Sequence, residues 1–418
     1  MRNRLTHSLG RPLGWAGALT LSLLAVAGCS DDPAAPDVAN DEVITADARG
    51  GPGADQIYEF DPPVFDIAAA PNGNILVAET VFPEVPEGVG GTMSTVKEIR
   101  RTGPGGVRDV VDMTHRPGAP VNGLASLGAH SFFAAVGGKD LARAAGVWHV
   151  TPGGQRLIGD VEAFETEVDP DANGGPQWKL PACEVNPDAG FSAGPQSNPY
   201  HLAHLQGGTA LVADGAGNSL LEAKLNGQLD WVAVFTPPTP TGDSSDDPAD
   251  WMVLFPLGPE GPNCYVQPVP TSVAIGPDGG YYVGELTGVT PMDIGAGASP
   301  NTGLSRVWRV EPGARNVTCP SADCEQVLGG FTSILDVAFG PDGLLYVVEY
   351  DEANWFAATA LGTPAGGTVN ACDVGTGACS VVEGGLVLPS AITFDKWGDL
   401  WLLENNLGAP TVRQVDLD

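Results

Sequence analysis

Apolar and polar residues along this chain alternate in short runs that rarely exceed eight residues, each closed by glycine, proline, asparagine or aspartate. The pattern fits short strands joined by tight turns, and helical periodicity is scarce. The stretch 270–285, PTSVAIGPDGGYYVGE, shows the unit plainly. Val273 and Ile275 alternate with smaller neighbours, 276–280 is turn chemistry, and 281–283 resumes a β-prone run ending on an acid.

The same 14-residue hairpin recurs without gaps from Asp66 (DIAAAPNGNILVAE), Gly123 (GLASLGAHSFFAAV), His201 (HLAHLQGGTALVAD), Ser272, Asp336 (DVAFGPDGLLYVVE) and Ala391 (AITFDKWGDLWLLE). Successive copies start 57, 78, 71, 64 and 55 residues apart, which describes a constant scaffold with loops of variable length. A second strand pair follows each copy, so the repeat predicts an all-β, six-bladed β-propeller with four strands per blade over residues 55–418. The last blade supplies three strands of its own. Residues 56–60, QIYEF, are expected to provide the fourth and close the ring.

If the strands are lettered a to d from the axis outward, the a–b and c–d turns read as short everywhere. The long connections, residues 80–95, 168–197, 236–268, 286–303 and 350–366, are then all b–c or d–a and share one face. Function is expected on such loops, carried by a rigid scaffold.

Charge narrows the partners. With 51 acidic against 19 basic residues the net charge is −32, which disfavours nucleic acid and anionic lipid and favours cations and cationic partners. Residues 1–28 read as an export signal: arginines at 2, 4 and 11 precede an apolar run from Trp15 to Ala27, and Leu24-Ala-Val-Ala-Gly-Cys29 resembles a bacterial lipobox in which Cys29 becomes the lipidated first residue. Residues 29–54 are acidic and rich in Pro, Ala and Gly, as suits a flexible tether. The expected location is extracytoplasmic and membrane-anchored. The six remaining cysteines then default to disulfides. Cys319 with Cys324 and Cys372 with Cys379 each close a short loop, and elimination leaves Cys183 with Cys264.

Segments 197–221, 270–288 and 329–349 are similar to the ScyD/ScyE family, exported propeller-like proteins named from genes associated with biosynthesis of a sunscreen pigment. The resemblance implies fold and export more firmly than a pathway. A more general likeness links the "P-D-G…Y-V" hairpin to NHL-repeat and gluconolactonase-type propellers. In those lactonases the metal ligands stand at the head of strand a. The matching positions here are Phe65, Asn122, Tyr200, Thr271, Leu335 and Ser390, and only Asn122 carries a ligand-type side chain, so that metal set does not carry over.

The candidate chemistry lies elsewhere. Strand b ends on Glu79, Val136, Asp214, Glu285, Glu349 and Glu404, and Asp66 and Asp336 open strand a near the same mouth. Neither Lys nor Arg occupies these positions, so the carboxylates are expected to gather without basic partners, where they could bind a hard cation such as Ca²⁺. The favoured reading is structural, each carboxylate accepting N–H groups from the next loop, with the cation site as the alternative. Asp169-Pro-Asp171-Ala-Asn173-Gly174 opens like a calcium loop, but Leu180 stands where its bidentate glutamate belongs, which favours a plain acidic loop. His201 and His204 point to opposite sides of a strand and do not pair; His201 stands alone at the channel mouth. Trp178, Trp251, Tyr265 and Trp355 could stack on a planar or sugar ligand or pin their own loops. No nucleophile elbow, P-loop or HExxH motif is present. These features favour a module binding a small molecule or another exported protein, with a metal-dependent hydrolase or lactonase at the acidic mouth as the alternative.

Overall fold

A computed structural model describes residues 56–81, 93–101, 106–114, 119–137, 145–173, 196–236, 255–256, 263–264, 267–288, 302–359 and 361–417. Within these the chain is a six-bladed propeller of antiparallel sheets. Blade 1 comprises Val64–Ala69, Ile75–Val81, Met93–Arg100 and Gly106–Asp112; blade 2, Val121–Ser126, Phe132–Val136, Gly146–Thr151 and Gly154–Asp160. Blade 3 comprises Pro199–Leu205, Thr209–Asp214, Ser219–Lys224 and Leu229–Phe235; blade 4, Pro268–Ile275, Tyr281–Thr287, Ser305–Val310 and Cys324–Phe331. Blade 5 comprises Ile334–Phe339, Leu345–Glu349, Gly367–Asp373 and Ala378–Leu386, and blade 6 Ala391–Phe394, Leu400–Glu404 and Thr411–Val415.

The N-terminal strand Ile57–Glu59 pairs antiparallel with Thr411–Val415, so the ring closes through both ends of the chain as its sequence requires. The seam between blades 6 and 1 is also locked by charge. Arg101 pairs with buried Asp395 and, at 2.7 Å, with Asp399.

Each blade interface has its own apolar layer. Leu76 and Ala78 of blade 1 meet Leu124 and Phe132 of blade 2, and Phe133 and Ala135 meet Leu202 and Val212 of blade 3. The pattern continues around the ring to Ile67 and Val77 against Trp401 and Leu403. Alternation along strands a and b dictates this, since successive side chains face opposite neighbouring blades. At roughly 25 cal/mol per Å² of apolar surface removed from water, these layers are the main favourable term. The a–b turns need glycine at one point: Gly279 and Gly343 both sit at φ +82°, a left-handed conformation costly for any residue with a Cβ.

One expectation fails. The c–d connection of blade 4 is not short: residues 311–323 leave the blade and place Val317–Cys319 parallel to the outer strand of blade 3. The Cys319–Cys324 disulfide, with Cα atoms 5.2 Å apart, ties this strand back to strand d of blade 4. The added strand covers an outer edge that would otherwise present unpaired N–H and C=O groups. Cys372 and Cys379 are likewise joined, across strands c and d of blade 5. Cys29, residues 1–54, Cys183 and the side chain of Cys264 lie outside the described residues, as do the side chains of Trp178, Trp251 and Tyr265.

Among the described residues three short helices interrupt the β pattern. Val161–Val168 (α1) and Pro170–Asn173 (α2) begin the connection from blade 2 to blade 3, and Trp355–Thr359 (α3) lies in the b–c connection of blade 5. Asp160 caps α1 by accepting from the Ala163 N–H. No helix among the described residues is long and apolar enough to cross a membrane.

Candidate functional site

The six aligned hairpins open on Asp66, Gly123, His201, Ser272, Asp336 and Ala391. In the folded ring these residues form one layer around the axis, with large polar and small side chains on alternate blades. Asp66, His201 and Asp336 come from blades 1, 3 and 5, and one donor atom of each lies within 4.8 Å of the other two. His201 Nε2 is 3.8 Å from Asp66 Oδ1 and 3.5 Å from Asp336 Oδ1. The small residues between them make room. A Cβ on Gly123 would lie 2.6 Å from the Tyr200 carbonyl oxygen and 2.9 Å from His201 Cα.

One hydrogen-bond rule is repeated three times and orients the trio. Asp66 Oδ2 accepts the N–H of Leu124 (2.6 Å), Asp336 Oδ2 that of Ile392 (2.8 Å), and His201 Nδ1 that of Val273 (3.4 Å). Each donor stands one residue beyond the small residue of the following blade. Oδ1 of each aspartate also accepts its own neighbour's N–H, from Ile67 and Val337. These contacts fix the direction of each side chain, and because Nδ1 of His201 accepts, the neutral ring carries its hydrogen on Nε2, toward the two aspartates. A β-bulge sits at this layer in five of the six blades, the register slipping between Val64 and Ile67, Val121 and Gly123, Pro199 and His201, Pro270 and Ser272, and Ile334 and Asp336. Bulges re-aim side chains, and they recur beside active sites.

Electrostatics mark the layer as unusual. Both aspartates are about 1 % exposed. Burial, reinforced by the Asp336 charge and opposed by His201, pushes the Asp66 carboxyl up to about 7. Burial also raises Asp336 against the same histidine. Tyr200 is 4 % exposed and its hydroxyl has no hydrogen-bond partner. Burial and the charges of both aspartates hold that hydroxyl well above the usual phenol range. Ser272, fully buried in the same layer, has an unpartnered Oγ. Beside Tyr200, Tyr350 donates to Asn406 Oδ1 at 3.0 Å within an apolar group that includes Leu286, Leu335 and Trp355.

The strand-b acids behave differently, and the expectation that they gather without basic partners is overturned for three of them. Glu79 meets Lys97 at 2.6 Å, Glu285 meets Arg306 at 2.7 Å, and Glu404 meets Arg413 at 2.7 Å. Each cation stands on strand c of the same blade, one strand outward. Glu285 also accepts from Trp308 Nε1 at 2.6 Å. Glu349 accepts from the Thr332 N–H, from Thr368 Oγ1 at 3.1 Å and from Asn370 Nδ2 at 2.8 Å. Asp214 Oδ1 accepts three N–H groups, from Asn198, Ala216 and Gly217. Val136 adds no charge. Among the described residues no cluster of three donors joins Glu79, Glu285, Glu349 or Glu404 to Asp66 and Asp336.

Other sequence candidates resolve in the same way. Asn122 uses its Nδ2 to bind Asn198 Oδ1 and the Pro199 carbonyl, each at 3.1 Å, and so fastens blade 2 to blade 3. Trp355 is buried and donates to the Thr287 carbonyl, pinning α3 to blade 4. His204 turns away from His201 and packs edge-on against Phe133, ring centroids 6.1 Å apart. Sequence reasoning treated His201 alone. Reading the first column of the aligned hairpins by alternate blades would have joined it to Asp66 and Asp336.

No family model matches the chain, and no curated protein matches it. Solved structures similar to it include a protein of unknown function from Bacteroides thetaiotaomicron (TM-score 0.46, 11 % identity, 88 % of this chain and 73 % of that one). Virginiamycin B lyase from Staphylococcus aureus gives TM-score 0.41 at 12 % identity over 83 % and 81 %. A gluconolactonase from Xanthomonas campestris gives 0.42 at 14 % over 88 % and 99 %.

Proposed function

We propose that this chain is an exported propeller that holds a divalent cation on its axis and uses it to bind an oxygen-bearing small molecule entering from the loop-bearing face. The observation that supports this is the convergence of Asp66 Oδ1, Asp336 Oδ1 and His201 Nε2 from alternate blades. Ligands about 2.1 Å from a metal at a near-tetrahedral angle stand roughly 3.4 Å apart, close to the 3.5 and 3.8 Å separations here. A mixed imidazole and carboxylate set suits Mn²⁺ or Zn²⁺ better than Ca²⁺. Three protein ligands leave positions for water or ligand, and the unpartnered Tyr200 hydroxyl lies in the field of Asp66 and Asp336.

A second reading, metal-dependent hydrolysis of an ester or lactone, draws on Tyr200. Its unpartnered hydroxyl lies in the field of both aspartates, where it could pass a proton to a leaving oxygen. Residues 1–28 as a lipoprotein signal, Cys29 as the lipidated residue, residues 29–54 as a tether and membership of the ScyD/ScyE family complete the proposal. They rest on the sequence pattern. A small molecule or an exported protein is the expected partner on the loop-bearing face.

Calorimetric titration of chelator-stripped full-length protein with Mn²⁺, Zn²⁺, Mg²⁺ and Ca²⁺ tests the reading. Binding of Mn²⁺ or Zn²⁺ is expected, weakened at least about tenfold in His201→Ala. Silence for Mn²⁺ and Zn²⁺, or binding of either left unchanged in His201→Ala, would leave the trio a clamp between blades that shares a proton: in the metal-free chain Val273 donates to His201 Nδ1, which keeps a hydrogen on Nε2, and a bound ion must displace that hydrogen and the Val273 contact. Turnover of a lactone panel that depends on both the metal and Tyr200 separates hydrolysis from binding.

A further inference from the structure

A second set of oxygens lies away from the axis, where the connection from blade 2 to blade 3 meets the b–c turn of blade 3. One carboxylate oxygen from each of Glu165, Asp169 and Asp171 lies within 4.8 Å of the others. Glu165 is 1 % exposed and Asp171 4 %. They sit on the last turns of α1 and on α2, and Asp169 forms the left-handed C-cap of α1 at φ 47°. The C-terminal end of a helix favours positive charge.

Two further oxygens, from other elements, border this cluster. Asp214 Oδ2 and Asn218 Oδ1 are buried without hydrogen-bond partners, and both residues are fully buried. Asn218, in the left-handed region at φ 51°, lies over the cluster because its Nδ2 donates to Asp171 Oδ2 at 2.7 Å. Asp214 Oδ2 and Glu165 Oε2 converge on Gly217, lying 3.2 and 3.1 Å from the point where a Cβ on that residue would stand. Glycine at 217 therefore permits the approach of two buried carboxylates.

We propose that Glu165, Asp169 and Asp171 hold a calcium ion, with Asp214 Oδ2 and Asn218 Oδ1 contributing the adjoining oxygens. Every donor is a hard oxygen and none is an imidazole or thiolate, which selects Ca²⁺ or Mg²⁺ over transition metals. The irregular arrangement, drawn from a helix end, a short helix and a strand turn, suits the flexible six to eight oxygen ligands of Ca²⁺ better than the strict octahedron of Mg²⁺. The sequence motif that opens at Asp169 fails at Leu180, but the fold brings Glu165 to the cluster from upstream.

The ion would fasten the blade 2–3 connection to blade 3. Its effect passes to the axis through one residue, because Asp214 also holds the Asn198 N–H at 2.6 Å, at the entry to the strand that carries His201.

Equilibrium dialysis of chelator-stripped full-length protein against ⁴⁵Ca²⁺ tests the site independently of the axial one. One tightly bound Ca²⁺ per chain is expected in the wild type and in His201→Ala, with affinity at least tenfold weaker in Asp171→Asn and Glu165→Gln. Ca²⁺ should raise the melting temperature of the first two proteins and not of the last two. Gly217→Ala, which alters no charge, should weaken binding in the same direction and covers the case in which an acidic variant fails to fold. The absence of bound Ca²⁺ in the wild type, or Ca²⁺ binding lost in His201→Ala and kept in Asp171→Asn, would overturn the proposal.

Discussion

The axial trio and the strand-b acids are both sets of buried carboxylates repeated around one ring, yet they are compensated in opposite ways. Glu285 is buried against Arg306 and Trp308, and Glu79 and Glu404 each have a cation on the adjoining strand. Asp66 and Asp336 have backbone N–H groups and one shared histidine. A carboxylate whose charge is met within its own blade is already satisfied. One met only by dipoles retains lone pairs and charge for a cation. Composition does not separate the two sets; position in the repeat does, and the cation one strand outward sets Glu79, Glu285 and Glu404 apart from Glu349 and Asp214, which accept from neutral donors.

The largest expected effect breaks a satisfied pair. Glu285→Ala leaves the Arg306 guanidinium, 8 % exposed, without its carboxylate, and should cost about 3–5 kcal/mol in denaturant unfolding. Asp336→Asn at the axis should be close to neutral, because it removes a buried charge while an amide oxygen can still accept the Ile392 N–H. An equal loss in both variants would dissolve the distinction between the two sets.

A smaller effect follows from protonation. In chelator-stripped protein the folded chain keeps the Asp66 proton to about pH 7, whereas an unfolded aspartate releases it near 4. The folded state therefore binds more protons in this window, and stability falls as pH rises from about 4 to about 7. Melting temperatures across that range should decline in the wild type and more shallowly in Asp66→Asn. A decline that flattens in Glu285→Gln and not in Asp66→Asn would assign the proton to the strand-b set instead.

Tyr200→Phe should change stability least. It removes a buried hydroxyl without a partner, so unfolding should shift by no more than about 0.5 kcal/mol in either direction, or rise slightly. A loss above about 2 kcal/mol would mean that the hydroxyl has a partner in solution.

Much of the fold is legible in the chain. The hairpin beginning at Asp336, with its Gly343 turn and the β-prone run 345–348, specifies a blade, and Ile57–Glu59 completes the ring where the last blade runs short. The excursion of Val317–Cys319 was not legible. Its pairing is parallel and lies between blades, and a strand of three residues carries too little pattern to name its partner. At the site, Asp66 and Asp336 stood out as acids, but the role of His201 depends on bulges and on the rotation between alternate blades. A gap-free alignment records neither. The arginine and lysine partners of the strand-b acids were hidden for a related reason: they occupy strand c, two positions along from the cross-strand residue for Lys97 and Arg413 and directly opposite for Arg306.

The most direct measurement of the central claim is the anomalous difference density of a crystal soaked in Mn²⁺. The account expects a single strong axial peak about 2.1–2.2 Å from Asp66 Oδ1, Asp336 Oδ1 and His201 Nε2, absent from Asp336→Asn crystals. Mn²⁺ bound instead among Glu79, Glu285, Glu349 and Glu404, or an axis without a peak at saturating metal, would contradict it.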